Sequence, residues 1–580
     1  MSLSLHGVAV SRGVAIGNVH LVEHNQLDVT EVRLPPEDVE AEVARLHDAV
    51  SLAKDHLRQI REHIPDSTPL EIAGFIDTHL LMLDDAAFSE EPARMIRETQ
   101  CNAEWAVKLQ RDALIAVFDE MDDAYLKTRR DDVYNVVDRI LRNLMQLQPL
   151  SHDVAGRHLR GMIILASDIS PADLIMLQHH DIAGFVTEFG GPTSHVSILA
   201  RSLGIPAVAG VHHARRYIKE DELLIVDGDD GVIVGDPDDG ILGDYRQRQA
   251  SRLEYLKGLD VLREQVAVTE DGVAIELHAN AEFESDFSAA IDIGADGIGL
   301  YRTEFLFMNR SDYPDEHEHF EHYRKMLAVL DGLPLTIRTA DIGADKPVDQ
   351  IDAGPLAANP ALGLRAVRLC LHDPALFLPQ LRAVIRASAL GPVRMMIPML
   401  SSVEEVYQVL EIVRGIHDDF REQKIEFDES MPIGGMIEVP AAAVSADLFS
   451  EELDFLSIGT NDLIQYAVAI DRVNDEVSYL YDPLNPGVLR LIATTIEAGE
   501  NAGIPVAMCG EMAGDPRYTR LLLGLGLREF SVHPSSLLEI KHVITRSNLV
   551  QVRELAAQLL RAKSAGERNH LLGQLEAEQI

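Results

Sequence analysis

The spacing of apolar residues changes along this chain, and each change predicts a different element. From Met1 to Glu23 apolar and polar residues alternate around Ser11-Arg12-Gly13, which predicts a strand, a turn and a second strand. So short a β piece does not stand alone, and it is expected to pair with a later stretch. After Pro35-Pro36 the spacing becomes three and four. Val39, Val43, Leu46, Val50, Ala53, Leu57 and Ile60 mark one face of a helix. Further helices are predicted over 69–83, 86–99, 102–121 and 124–147, so residues 24–147 read as an antiparallel helical bundle.

Past 150 the helical period gives way to short apolar runs. Gly161–Ala166, Ile182–Thr187, Pro206–Ala209 and Glu222–Asp227 are predicted strands, and Ser170-Pro171 is a helix start. They make an α/β unit of residues 148–235 that residues 1–23 complete, the bundle being an insertion. Residues 236–265 read as a polar connecting helix with Tyr245, Leu253, Leu256 and Leu259 on one side. From 266 to 580 eight apolar runs alternate with helical segments: Ile275–Asn280, Gly297–Arg302, Leu335–Asp341, Met395–Met399, Met436–Val439, Phe455–Asp462, Val506–Glu511 and Phe530–Val532. Eight such units predict a (β/α)8 TIM barrel, whose chemistry belongs at the C-terminal strand ends. The fold class is therefore multidomain α/β.

Composition narrows the partners. With 94 acidic and 51 basic residues the net charge is −43, which argues against nucleic acid or an anionic membrane and favours a partner with a basic patch. Phe75, His79, Leu80, Met82 and Leu83, followed by Asp84-Asp85, suit a docking face for such a partner; a solvated charge pair at a helix end fits the same residues. Cys101, Cys370 and Cys509 lie far apart, which fits a reducing cytoplasm better than a disulfide framework. No signal peptide and no run of about 20 apolar residues is expected.

Candidate chemistry gathers in two places. Gly190-Gly191-Pro192-Thr193-Ser194-His195 is a tight glycine turn leading into a predicted helix over Val196–Ser202, with His195 in the first turn. The positive end of a helix keeps an imidazole neutral, hence nucleophilic, and accepts a phosphoryl group on the ring. The same pattern also describes a capping turn with an exposed histidine. At the predicted barrel mouth, Arg302, Arg338 and Arg472, with Lys346 and Arg365 nearby, suit a small polyanion. Glu438 and Asp462 offer hard oxygen ligands suited to Mg²⁺, and Asn461 can meet a phosphate oxygen without adding charge. Each residue alone also fits an ion pair at a barrel rim; together they favour a site. Cys509 reads equally as a buried strand-end thiol or as an acid near neutral pH.

These stretches carry a resemblance. Gly-Gly-x-Thr-Ser-His-x-x-Ile-x-Ala-Arg at 190–201, Gly299–Phe307, Arg338-Thr339-x-Asp341, Asn359-Pro360-x-Leu362-Gly363-x-Arg365, Ser457–Leu463 and Met508-Cys509-Gly510-Glu511 are similar, in order, to the motifs of the Enzyme I family of the bacterial phosphoenolpyruvate:sugar phosphotransferase system. The resemblance implies transfer of a phosphoryl group from phosphoenolpyruvate to His195 and on to the histidine carrier HPr, with release of pyruvate, as the first step of sugar uptake. It implies Mg²⁺ on Glu438 and Asp462, and phosphoenolpyruvate held by Arg302, Arg338, Asn461 and Arg472. It also implies Cys509 as the acid that protonates the enolate, a HPr-binding helical bundle, and a homodimer formed through the barrel. Because one imidazole must serve two sites, a swivel of the α/β unit about residues 230–265 is expected. Ala344 stands where a second glycine is expected, which puts Lys346 in doubt, and His533 has no assigned role. Pyruvate phosphate dikinase and phosphoenolpyruvate synthase share the histidine unit and barrel, but carry an ATP-binding domain for which this chain shows no glycine-rich loop. A non-catalytic scaffold is disfavoured by the complete catalytic set.

Overall fold

The computed structural model describes the chain except residues 1, 23–28, 63–69, 120–123, 146–158, 170–173, 175–176, 178–179, 191–195, 198–199, 201–202, 308–309, 311, 344–359, 472–476, 478–479 and 578–580. Ser170-Pro171, His195, Ala344, Lys346 and Arg472 thus lie outside the described residues. Two compact units divide the chain, Met1–Tyr255 and Leu256–Ile580.

In the first unit eight strands form one sheet: β1 (Leu3–His6), β2 (Val8–Ser11), β3 (Val14–Val22), β4 (Ile163–Ala166), β5 (Gly184–Thr187), β6 (Ala207–Ala209), β7 (Leu223–Asp227) and β8 (Val232–Gly235), in spatial order β1-β8-β7-β3-β4-β5-β6-β2. The opening stretch makes three strands rather than two. β3 sits in the middle of the sheet, antiparallel to β7 and parallel to β4. A parallel neighbour requires a long crossover, and here the crossover contains the whole helical block. Its helices are α1 (Val39–Glu62), α2 (Leu70–Asp84), α3 (Ala86–Thr99), α4 (Ala103–Asp119) and α5 (Ala124–Leu144).

The α1 stripe is core: Val39, Val43, Leu46, Val50, Ala53 and Leu57 are all buried. Arg45 ties three helices, reaching Glu42 at 2.7 Å, Glu104 at 2.8 Å and the Leu144 carbonyl at 2.8 Å. Strand alternation splits β4 between two cores. Ile163 and Leu165 join one, while Ile164 and Ala166 join the one shared with the helical block. The supposed docking residues also have structural work. His79 and Leu83 are buried, Asp84 pairs with Lys54 at 2.7 Å, and Asp85 caps α3 through the Ala87 amide at 2.8 Å. The chain leaves this unit on α6 (Asp239–Leu259), shorter than the predicted connecting helix. Its expected apolar side is not buried: among Leu253, Leu256 and Leu259, only Leu259 is.

In the second unit β9 (Glu276–Ala281), β10 (Ile298–Tyr301), β11 (Leu335–Arg338), β12 (Val393–Ile397), β13 (Ile433–Ile437), β14 (Phe455–Ile458), β15 (Val506–Met508) and β16 (Glu529–Val532) close into a parallel barrel, β16 pairing with β9. All eight predicted runs contain strands, and β10, β11, β13, β14 and β15 end at or before the polar residues singled out in sequence. Small residues make room inside. A Cβ on Gly299 would stand 2.6 Å from Ser531 Oγ and 2.8 Å from His278 Cβ, and one on Gly434 would stand 2.5 Å from the Phe455 ring. Outside the barrel run α7 (Glu316–Leu330) and α8 (Pro374–Ala387), and α9 (Thr460–Val468) follows β14. No described helix is long and apolar enough to cross a membrane.

Candidate active site

The C-terminal ends of β10, β11, β13, β14 and β15 bring together most of the described candidates. Arg338, the last residue of β11, is buried. Its Nη2 donates to Glu304 Oε1 at 2.7 Å and its Nη1 lies 3.2 Å from Asp341 Oδ2. Its Nε is buried and has no hydrogen-bond partner among the described residues. Burial opposes the Arg338 charge, and Glu304, Asp341 and Glu438 overcome that, so its pKa is raised and the guanidinium stays charged. A buried, cationic donor left open at a barrel mouth is a place for an anion's oxygen.

Arg365 is placed differently. Its Nε and Nη2 form a fork on Asp341 at 2.8 and 3.0 Å, and Nη2 also lies 3.3 Å from Asp462 Oδ2. With its side chain buried in these pairs, Arg365 holds acids rather than offering an open face.

Glu438 follows β13 directly. Its Oε1 accepts from the Met399 amide at 2.6 Å, and Met399 holds the left-handed φ of 58° needed to present that N–H. Gly459 leaves space on the other side: a Cβ there would stand 2.7 Å from Glu438 Oε2. Burial pushes the Glu438 carboxyl well above the usual range, and the neighbouring charges of Asp462 and Asp341 push it further, against Arg338 and Arg365. Asp462, buried in the first turn of α9, is the second acid of the pair. Glu438 and Asp462 thus form a negative pocket that the arginines do not fully offset. Hard carboxylate oxygens in such a pocket fit a divalent cation.

Cys509 follows β15 and is buried. Ser457 Oγ donates to its sulfur at 3.4 Å, and Asn280 Nδ2 donates to its carbonyl at 3.1 Å. Burial raises the thiol pKa, Ser457 lowers it and Glu438 raises it again; the net shift is upward, so the sulfur holds its proton. Arg302 and Asn461 stand nearer solvent. Arg302 is 3.7 Å from Glu282, and Asn461 Oδ1 accepts from the Glu511 amide at 2.9 Å. His533 has a local role: its Nδ1 accepts from Ser535 N at 3.3 Å at the start of the helix Pro534–Thr545.

The sequence did not point to Gln380. It reaches from α8 with its side chain fully buried. Its Oε1 accepts from the Ala340 amide at 2.9 Å, and its Nε2 donates to Thr303 Oγ1 at 2.9 Å. Thr303 Oγ1 in turn donates to the Arg338 carbonyl at 3.0 Å. One amide therefore fastens the ends of β10 and β11. A glutamine on an otherwise apolar helix face was the available signal. Met399 left none, since it acts through its backbone.

Comparison with known proteins agrees with this geometry. Three family models match: the N-terminal domain of PEP-utilising enzymes over residues 6–129, their mobile domain over 159–231 and their PEP-binding domain over 257–549. The chain is 46% identical to the phosphoenolpyruvate-protein phosphotransferase of Cupriavidus necator, covering 99% of this chain and 100% of that one. This chain belongs to the Enzyme I family. Other relatives of that name, from Staphylococcus epidermidis and Geobacillus stearothermophilus, are 38% and 40% identical over 99% and 92% of this chain. In this Enzyme I chain the barrel mouth just described falls within the matched PEP-binding domain. His195 falls within the matched mobile domain.

Proposed function

We propose that this chain transfers the phosphoryl group of phosphoenolpyruvate to His195 and then to a histidine of an HPr-type carrier, releasing pyruvate. The observation that carries the reading is the barrel mouth: a buried Arg338, its Nε without a partner among the described residues, beside the Glu438–Asp462 pocket and a protonated Cys509. Arg338 and Arg302, with Arg472, Asn461 and Lys346, hold the phosphate and carboxylate; Arg365 acts through Asp341 and Asp462. Glu438 and Asp462 would hold Mg²⁺, which when bound neutralises charge on the transferring group.

Phosphoryl transfer demands in-line placement and neutralised charge more than covalent help from the protein. The His195 imidazole attacks phosphorus. The N–P bond forms as the P–O bond to the enol oxygen breaks, leaving the enolate of pyruvate. Cys509 gives its proton to the methylene carbon, and the thiolate is reprotonated from solvent before the next turn. The phosphohistidine then passes its phosphoryl group to the carrier, splitting one transfer into two. His195 lies in the first unit and the basin in the second, so the reaction includes the expected swivel. The acidic chain suits a basic carrier surface. Work in the cytoplasm, as a homodimer, in sugar uptake belongs to the same reading.

Incubation with labelled phosphoenolpyruvate and Mg²⁺ tests it. The parent chain takes up label and passes it to HPr, with pyruvate detected by coupled lactate dehydrogenase, and His195→Ala does neither. Label uptake undiminished in His195→Ala overturns the assignment.

A further inference from the structure

The opposite end of the barrel holds a second group of charged side chains that this reaction does not use. Glu276 opens β9 and Glu529 opens β16, and the two are directly paired in the register that closes the barrel. His278, two residues further along β9, is paired with Ser531. Alternation sends Glu276 and His278 to the same side of the strand. The absence of a side chain at Gly299 leaves the space that His278 occupies.

Three features distinguish this group from an ordinary surface cluster. One ligand atom from each of Glu276, His278 and Glu529 lies within 4.8 Å of the other two. His278 and Glu529 are each more than nine-tenths buried, whereas the Glu276 side chain is 55% exposed and opens the group to solvent. The imidazole is only half used. Its Nε2 lies 3.1 Å from Glu276 Oε2, and its Nδ1 is buried with no partner among the described residues. A buried ring nitrogen without a partner is costly in a protein interior, and a neutral imidazole offers one ring nitrogen to a metal. Arg394 Nη1 reaches Glu529 Oε2 at 3.3 Å, as a group orienting a ligating carboxylate does. Two carboxylates against one guanidinium leave the group one negative charge in surplus when His278 is neutral.

We propose that Glu276, His278 and Glu529 bind a first-row divalent transition-metal ion, of which Zn²⁺ is the type, at the N-terminal mouth of the barrel. One imidazole and two carboxylates, with water completing the shell, match Zn²⁺ or Co²⁺ far better than Mg²⁺, which seeks all-oxygen octahedral sites. The ion joins the first and last strands of the barrel. It thus closes a loop that holds the whole barrel, from Glu276 to Glu529, and stabilises the folded state by binding it selectively.

The test uses the full chain with Zn²⁺ as chloride, in equilibrium dialysis against a weak competing chelator. Glu276→Gln removes the exposed ligand, and Asp462→Asn removes a ligand from the other mouth. The parent and Asp462→Asn should each retain one tightly bound Zn²⁺ that Glu276→Gln binds at least tenfold more weakly. Zn²⁺ should also raise the melting temperature of the parent but not of Glu276→Gln. With Co²⁺, the visible ligand-field bands of low-coordinate N,O ligation should appear in the parent and vanish in Glu276→Gln. Phosphoenolpyruvate-dependent labelling of Glu276→Gln should match the parent. Equal Zn²⁺ binding by the parent and Glu276→Gln, loss of the ion only in Asp462→Asn, or no ion retained by the parent would overturn the proposal.

Discussion

At its C-terminal mouth the barrel sets Glu304, Asp341, Glu438 and Asp462 against the buried guanidinium groups of Arg338 and Arg365. At its N-terminal mouth it sets Glu276 and Glu529 against Arg394 and His278. Both layers hold more carboxylates than arginines, and both leave one buried nitrogen unpartnered among the described residues, Arg338 Nε above and His278 Nδ1 below. They differ in bracing. Above, acids and arginines bridge one another, so Asp341 is held by Arg365, faces Arg338 and gives its amide to Glu304. Below, one contact joins each acid to its cation or imidazole, and Glu276 faces water. A braced, water-poor network keeps charges pointed at a reacting group without reorganising. An open one can take in and release an ion.

The largest effect should come from Glu438→Gln. It keeps an acceptor for the Met399 amide and removes a charge that its surroundings disfavour. Phosphoenolpyruvate-dependent labelling of His195 should fall by about a thousandfold or more, since in the proposed reaction an oxygen ligand for Mg²⁺ and its electrostatic contribution are lost together. In chelator the melting temperature should rise, as expected where function holds a site away from its most stable form. A fall in both would show that Glu438 is a structural anchor.

Truncating the arginines compares the two mouths directly. Arg338→Met should destabilise the chain by about 3–5 kcal/mol, because Glu304 and Asp341 lose a shared buried partner. It should lower kcat/KM for phosphoenolpyruvate by about a hundredfold to a thousandfold. Arg394→Met, which removes a single contact to the buried Glu529 rather than a partner shared by two acids, should cost less, about 1–3 kcal/mol, and leave turnover alone. Denaturant midpoints of the two variants decide this, and equal costs would erase the distinction between braced and open ends.

Acid should weaken the barrel behind its upper mouth. His319 and His322 lie on α7, where His322 stacks against Tyr301 and His319 against Tyr323. Burial lowers their pKa values, to about 3 for His319 and about 4 for His322, from 6.5. Between pH 6.5 and these values the unfolded chain binds more protons than the folded one, so stability is full above pH 6.5 and falls as the pH drops. At pH 5 the loss should be about 2 kcal/mol for each ring, by the conversion of roughly 1.36 kcal/mol per pH unit. Urea melts of the parent and His319→Phe at pH 7 and pH 5 measure it, and the variant should lose less on acidification.

Much of this mouth was legible in the chain because the barrel rule needs only strand order and the residues after each strand. Arg302, Arg338, Glu438, Asp462 and Cys509 are read that way. What stayed hidden depends on contacts that cross between elements. The role of Arg365 as a clamp depends on Asp341 folding beneath it. The Glu276–His278–Glu529 group depends on the closing of β16 on β9, which joins the first and last strands of the barrel. At α6 and at His79 the sequence left burial open for a common reason. A helical stripe records which residues share a face but not whether anything packs on that face, and Leu253 is exposed while His79 is core.

Gln380 gives the finest test of bracing, because its two ends can be removed separately. Gln380→Glu keeps the acceptor for the Ala340 amide but loses the donor to Thr303 Oγ1, whose own proton is committed to the Arg338 carbonyl. Gln380→Met loses both ends and leaves a buried amide unpaired, at a cost of about 1–3 kcal/mol. Since Gln380 touches the Ala340 amide and the Thr303 hydroxyl and not substrate, its effect on turnover must pass through the placement of Arg338 and Glu304. Labelling from phosphoenolpyruvate should slow about tenfold in Gln380→Met and less in Gln380→Glu, mainly in kcat, because small misplacements weaken the transition state more than binding. Reverse transfer from phosphorylated HPr to His195, which in the proposed reaction does not use the barrel mouth, should be unchanged in both. Equal slowing of the two half-reactions would mean that Gln380 supports only the fold, and that bracing at this mouth ends with the charged residues.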